Sequence, residues 1–261
     1  MRESALHSFD PTELMTIVAA RALKSTDICF VGIGAPSAAC NLARLTHAPG
    51  VTLIYESGTI GARPSALPLS IGDGELCETA LTTVSVPEIF RYWLQGGRIS
   101  VGFLGGAQID RYGNLNTTVI GPYVHPQVRL PGAGGAPEIA CCCREVYVVM
   151  LMSQRTFVQE LPFRTSLGYG TGRGFREGLG IETKGPTKVV TDTCVLEPDP
   201  EARELVVVAL HPGITRDEAQ SRCQWPLRFS SGLVQTAVPT HAELTALRDL
   251  QRSSLDFGRP D

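Results

Sequence analysis

The chain has 261 residues, 43% hydrophobic and 19% charged, with a net charge of −3 at pH 7. That is enough for one large α/β domain or two small ones, and the mildly acidic balance, with no basic run, argues against nucleic acid or an anionic membrane as partner. No stretch reaches the roughly 18 apolar residues of a membrane span, and the start "MRESALHSFDPTEL" lacks the apolar core of a leader, so a cytoplasmic protein is expected.

In chain order, "DPTELMTIVAARAL" opens with Asp10 as a cap, Pro11 at the first helical position and Glu13 in the first turn. "DICFVGIG" reads as a short buried strand ending in glycines. "PSAACNLARLTHAP" has helical spacing and stops at Pro49-Gly50, and "VTLIYE" is the next strand. A polar, glycine-bearing stretch precedes "VPEIFRYWLQGG", read as a helix closed by Gly96-Gly97, and then the strand "RISVGFLGGAQID". The middle, "RYGNLNTTVIGPYVHPQVRLPGAGGAPEIA", is rich in turn formers, with Gly113-Asn114 as a turn, and reads as a long functional loop.

"EVYVVMLM" resumes strand character, and "SLGYGTGRGFREGLGIETKGP" is a second glycine-rich loop. "TKVVTDTCVLEPDPEARELVVVALHPG" reads as two antiparallel strands around "EPDPEA". Two helices close the chain, each with a capping-box pattern, at Thr215/Glu218 and Thr240/Glu243. Alternating helices and strands predict an α/β fold with an open, mostly parallel sheet, helices on both faces and an antiparallel extension. No boundary stands out, so residues 1–261 are expected to form a single domain.

Eight cysteines, at 29, 40, 77, 141, 142, 143, 194 and 223, include no CxxC pair and no nearby His at zinc spacing, so no metal is expected. The run Cys141-Cys142-Cys143 reads as small, buried, reduced thiols leading into a strand. His211 in "LHPG" has no paired Ser or Cys motif and reads as structural.

A near-Rossmann pattern is present, since Gly32 and Gly34 follow a strand and Glu56 lies 22 residues after Gly34. The fingerprint is incomplete because Ser37 stands at the third glycine and Pro36 intrudes. Glu56 could be a ribose ligand, a solvated turn residue, or an active-site carboxylate at the carboxyl end of a parallel strand. Its company favours the last: Ser57-Gly58 and Ile60-Gly61 permit close backbone approach, and Gly134-Gly135-Ala136 could aim backbone N–H groups at an oxyanion. A carboxylate with such donors suggests acyl transfer through the carboxylate as nucleophile. Arg63 could meet a substrate carboxylate or serve a structural ion pair, and Gln108 and Asn116 could bind substrate or satisfy loop backbone, the second being favoured.

Four ordered motifs, "YESGTIGARP", "LSIGDGEL", "VGFLGGAQIDRYGNLNTT" and "RLPGAGGAPEIA", resemble the B subunits of family I CoA-transferases, in the group of glutaconate and 3-oxoadipate CoA-transferases. The resemblance runs from about residue 10 to about residue 248, and "ICFVGIG", "FRYWLQGGRI" and "VALHPG" place it nearest the 3-oxoadipate branch. It implies a CoA-transferase fold of the NagB/RpiA-like type. It also implies that Glu56, in the E-[SN]-G motif, is the nucleophile that forms a glutamyl-CoA thioester, with Gly134 and Gly135 amides helping to hold the oxyanion. Ser57, Gly58, Arg63 and Gln108 are then candidate substrate contacts.

A coenzyme A thioester is the implied substrate, with no permanent cofactor, and a separate A subunit is the implied partner. Related carbon–carbon hydrolases lack this glutamate in the corresponding subunit, so its presence argues for transfer. A carboxylate is ionised at neutral pH without a general base, so its weakness as a nucleophile must be met by positioning and oxyanion stabilisation.

Overall fold

The computed structural model describes residues 8–257; the expectation drawn from the start "MRESALHSFDPTEL" rests in part on its first seven residues, which lie outside them. The chain forms two compact units, one built from the chain up to Phe103 together with the segment from Val238 onward, the other from Leu104–Ala237.

The first unit opens with α1 (Pro11–Arg21), whose Asp10 cap accepts from the Thr12 and Glu13 amides while the Glu13 carboxylate takes the Asp10 N–H. The sequence predicts the Asp10 cap with Glu13 in the first turn; the reciprocal bond from Glu13 completes a capping box. Strand β1 (Ile28–Val31), helix α2 (Ala35–Leu45) and strand β2 (Thr52–Tyr55) follow as expected. The two strands pair in parallel from Ile28↔Thr52 to Val31↔Tyr55. Beyond β2 come two short strands absent from the sequence reading, β3 (Thr59–Ile60) and β4 (Thr82–Thr83), each antiparallel to its neighbour, with α3 (Gly74–Glu78) between them.

The expected helix "VPEIFRYWLQGG" forms with a difference. It starts as α4 (Val86–Glu88) and continues as a π-helix over Ile89–Leu94, with Gln95 N–H reaching Phe90 O at 2.8 Å. Ile89 and Leu94 are both fully buried, and the wider turn brings residues five apart nearer to one face. Strand β5 (Val101–Leu104) then pairs parallel to β1, so the sheet of this unit runs β5-β1-β2-β3-β4. Its last helix, α8 (His241–Phe257), returns to α1 through ion pairs Arg21–Glu243 (2.7 Å) and Arg248–Glu13 (2.6 Å).

In the second unit the expected long strand "RISVGFLGGAQID" is broken. After β5 the chain passes Gly105-Gly106 and restarts as β6 (Gln108–Ile109), which forms a hairpin with β7 (Leu115–Asn116) around the predicted Gly113 turn. The turn-rich middle also contains the hairpin β8 (Val119–Ile120)/β9 (Val128–Arg129) and helix α5 (Ala136–Cys142). The cysteine run closes that helix, with Cys143 buried and Cys141 and Cys142 only partly so, a departure from the expected burial of all three.

Strand β10 (Glu145–Val149) pairs in parallel with β11 (Pro186–Val190), and the short helix α6 (Phe175–Gly178) lies in the glycine-rich loop between them. The segment read as two strands holds three: β11, β12 (Cys194–Pro198) and β13 (Leu205–Leu210), all antiparallel. The "TDT" of residues 191–193 makes the extra turn because Thr191 Oγ1 accepts from the Thr193 and Cys194 amides. After α7 (Arg216–Ser221), which carries the predicted capping box, a further strand absent from the sequence reading, β14 (Arg228–Gln235), runs parallel to β13. Parallel strand cores with antiparallel extensions make this an α/β protein of the expected class. No helix among the described residues is long and apolar enough to cross a membrane.

His211 follows β13 and uses both ring nitrogens, at 2.7 Å from Thr191 O and 2.9 Å from Thr236 Oγ1, which fits the structural reading. A carbonyl only accepts, so Nε2 carries the proton and Nδ1 accepts from the hydroxyl. Burial lowers the His211 pKa below its usual value. The neutral ring therefore contributes stability that is complete above the unfolded histidine value near about 6.5 and is lost as pH falls through the lowered one. Thermal melts taken from about pH 7.5 down to about pH 5 should show a falling Tm, with a shallower fall for His211→Gln. An unchanged slope in the variant would contradict this.

Candidate active site

Glu56 is the first residue after β2 and, with Ser57, forms the turn of the β2–β3 hairpin, closed by Gly58 N–H to Tyr55 O at 3.0 Å. Glu56 and Ser57 are half-buried, so the carboxylate stands between core and solvent. Gly58 has φ +112°, and a Cβ there would lie 2.1 Å from the Val84 carbonyl oxygen; the Val84 N–H in turn donates to Gly58 O at 2.9 Å. Only glycine fits both the left-handed backbone and this approach. Gly58→Ala should therefore destabilise the protein by about 2–4 kcal/mol in urea unfolding and distort the Glu56 turn; a change within about 0.5 kcal/mol would refute the geometry. The hydroxyls Ser57 Oγ and Thr59 Oγ1 are buried without a hydrogen-bond partner among the described residues, which leaves two donors within three residues of Glu56. Thr59 is an addition to the residues expected from sequence, where nothing in the apolar pattern marks it.

Behind the turn, Tyr55 is fully buried and its hydroxyl meets Ser37 Oγ (3.1 Å) and Asn41 Nδ2 (3.3 Å), both on α2. Burial raises the phenol pKa to about 12, so it stays protonated at neutral pH. Arg63 lies three residues past the end of β3. Its side chain is exposed and forms no ion pair among the described residues, and its amide donates to Thr79 Oγ1 at 3.1 Å. Of the two sequence readings, the structural ion pair finds no support.

Gln108 is buried, paired across the β6–β7 hairpin with Asn116, whose Nδ2 donates to Gln108 Oε1 at 2.9 Å and to Val119 O at 2.7 Å. That arrangement supports the loop-structure reading of both. In the same hairpin, Asp110 and Asn114 account for the "DRYGN" motif. Asp110 accepts from the Tyr112 and Asn114 amides and from Asn114 Nδ2, while Asn114 Oδ1 accepts from the Gly168 and Gly170 amides. Burial raises the Asp110 pKa. The motif ties two loops of the unit together; a Cβ on Gly168 would lie 2.3 Å from the Gly113 backbone.

The segment Gly134-Gly135-Ala136 leads into α5. Gly134 has φ +50°, and neither its amide nor that of Gly135 has an acceptor among the described residues. The Ala136 amide, by contrast, donates to Ala133 O at 3.0 Å. Among the described residues, no group of three or more His, Cys, Asp or Glu side chains is placed to hold a metal ion. Gly32 and Gly34 lead into α2 with Gly34 at its N-cap, φ +83°, and Pro36 in its first turn, so the near-Rossmann loop is real as a tight turn.

This α/β arrangement, with a carboxylate at a hairpin turn past a parallel strand, falls within one enzyme class: the Coenzyme A transferase family model matches residues 12–220, and the chain belongs to that family. Within it, the chain is 57% identical over 246 residues to the B subunit of 3-oxoadipate CoA-transferase from Pseudomonas knackmussii, spanning 94% of this chain and 95% of that protein. It is 32% identical over 243 residues to the B subunit of glutaconate CoA-transferase from Acidaminococcus fermentans, spanning 91% and 90%. The crystal structure of glutaconate CoA-transferase from the same organism superposes with a TM-score of 0.89 at 28% identity, covering 97% of this chain and 99% of that one.

Proposed function

We propose that this chain is the B subunit of a CoA-transferase that moves CoA from succinyl-CoA to a 3-oxo dicarboxylic acid, 3-oxoadipate, in the cytoplasm and in aromatic catabolism, together with an A subunit. The observation that carries this is the 57% identity over nearly the whole length to the B subunit of a 3-oxoadipate CoA-transferase. The intact Glu56 turn supports it. Coenzyme A thioesters are substrates, and no permanent cofactor is required.

In this reading a Glu56 carboxylate oxygen attacks the succinyl-CoA carbonyl and CoA thiolate leaves, giving an acyl-glutamyl anhydride. The thiolate then attacks the glutamyl carbonyl, succinate departs, and Glu56 holds CoA as a thioester. The acceptor carboxylate attacks that thioester, thiolate is released and re-attacks at the acceptor's carbonyl, and 3-oxoadipyl-CoA leaves with Glu56 restored. Each carbonyl passes through an oxyanion that backbone N–H donors must stabilise, the role that the family resemblance gives to Gly134 and Gly135. Ser57 offers a hydroxyl without a partner among the described residues, Gly58 shapes the turn that carries Glu56, and Arg63 has a guanidinium outside any ion pair among the described residues and so open to a carboxylate.

The test is an assay of the co-purified A/B complex with succinyl-CoA and 3-oxoadipate. Equal amounts of succinate and 3-oxoadipyl-CoA are expected, with little free CoA when the acceptor is withheld. Steady release of free CoA without acceptor would overturn transfer in favour of hydrolysis.

A further inference from the structure

Helix α2 buries Ala38, Ala39, Cys40, Leu42 and Ala43, yet among them it also buries Ser37 and Asn41 completely. With Arg44 these polar residues stand at i, i+4 and i+7, one stripe of the helix. A buried polar group is costly unless it is bonded, and here every one is. Asn41 Nδ2 donates to Ser37 O (3.0 Å) and to Tyr55 Oη (3.3 Å), while Asn41 Oδ1 accepts from Arg44 Nε (3.3 Å) and Nη2 (3.1 Å). Arg44 Nη2 also reaches Pro64 O at 2.7 Å. Arg44 forms no close ion pair among the described residues; its guanidinium bonds an amide oxygen and a carbonyl, and the Glu75 carboxylate attracts it at longer range.

The two residues this stripe grips flank one hairpin. Tyr55 is the last residue of β2, immediately before Glu56, and Pro64 lies four residues past the end of β3, immediately after Arg63. The segment after β3 is held as well through Arg63 N–H to Thr79 Oγ1 and Ser65 Oγ to Glu75 Oε1 at 2.6 Å. A packed apolar set of similar volume would hold the helix against the strand at least as firmly. What the polar network adds is a fixed register, because directional bonds allow one placement where apolar contacts allow several.

We propose that Ser37, Asn41 and Arg44, acting through Tyr55 and Pro64, are positioning residues that hold the Glu56 hairpin in its reactive geometry. None of them is assigned to touch substrate. The inference rests on Glu56 being the nucleophile. Misplacing a reacting group by about 1 Å can cost on the order of 100-fold in rate, so the effect falls on turnover.

The test uses the A/B complex with Tyr55→Phe, Arg44→Lys and Asn41→Leu, well below each variant's Tm. The readouts are kcat, KM for succinyl-CoA, and the single-turnover rate of thioester formation on Glu56. Tyr55→Phe should lower kcat and the single-turnover rate together by roughly 10-fold, and the other two by roughly 100-fold, with KM within about twofold. If Asn41→Leu fails to fold, Tyr55→Phe decides, because it removes one hydroxyl and keeps the ring packed. Wild-type single-turnover rates alongside a lowered Tm would overturn the proposal and leave the network purely structural. Failure of the underlying reading looks different: Glu56→Gln would then keep its turnover, whatever the network variants do.

Discussion

Glu56→Gln in the assembled enzyme is expected to lose transfer by on the order of 10⁴-fold or more, with a Tm close to that of the wild type. The amide is nearly isosteric, and the side chain is half-buried at a turn, so the fold has little to lose. In the proposed mechanism the chemistry loses its nucleophile, since a carboxamide cannot form the anhydride and thioester through which both half-reactions would run. About 1.36 kcal/mol corresponds to each tenfold, so such a loss amounts to about 5.5 kcal/mol of barrier. The check is steady-state transfer between succinyl-CoA and 3-oxoadipate, with binding of the acyl-CoA measured separately. Retained binding with lost turnover is the expected pair of results.

Arg176→Met should produce the largest stability loss, about 3–5 kcal/mol in urea unfolding. Arg176 is 4% exposed and lies in the first turn of α6. Its guanidinium donates to Gly168 O (3.0 Å), Ala140 O (3.1 Å), Thr183 O (3.2 Å) and Thr183 Oγ1 (2.6 Å), and Thr183 Oγ1 passes a bond to Cys141 O at 2.7 Å. Ala140 O directly, and Cys141 O through Thr183, are carbonyls in the last turn of α5, where a cation is favoured by the helix dipole. Burial lowers the Arg176 pKa, consistent with a charge held by carbonyls and a hydroxyl.

Methionine fills the space but leaves these buried acceptors without their donor, which is the costly half of a broken bond. Arg176→Lys should recover only part of the loss, since an ammonium cannot span acceptors on three segments. A variant within about 1 kcal/mol of wild type would contradict this account.

How much of the fold is legible in the sequence depends on whether the signal is local. The caps at Asp10/Glu13 and Thr215/Glu218 are written in adjacent residues, and both form as read. The buried runs "CFV" and "LIY" are strands because nothing polar interrupts them. Strands β3 and β4 are two residues each, too short for any period, and exist only because they pair with a neighbour. The mostly exposed "RFSSGLVQ" of β14 carries no burial alternation, so its pairing to β13 leaves no local signal. "VVTDTCV" reads as continuous strand because threonine favours strands, whereas the side-chain oxygen of Thr191 turns the chain.

The candidate site divides in the same way. Glu56 stands out because a carboxylate at a strand end is a local oddity. The commitment of the Ala136 amide, the buried partner of Gln108 and the stripe of Ser37, Asn41 and Arg44 depend on who lies opposite. The stripe does leave a trace, three polar residues at helical spacing in a helix otherwise rich in alanine, which periodicity can find.

The central claim is that Glu56 carries CoA covalently. The direct measurement is borohydride reduction of the A/B complex during incubation with succinyl-CoA, followed by digestion and mass spectrometry of the peptide containing "YESGTIG". A Glu56 thioester should be reduced to the primary alcohol at that residue, in proportion to lost activity, and only when acyl-CoA is present. An unmodified Glu56 in an enzyme that is turning over, or a modification on another side chain, would contradict the account.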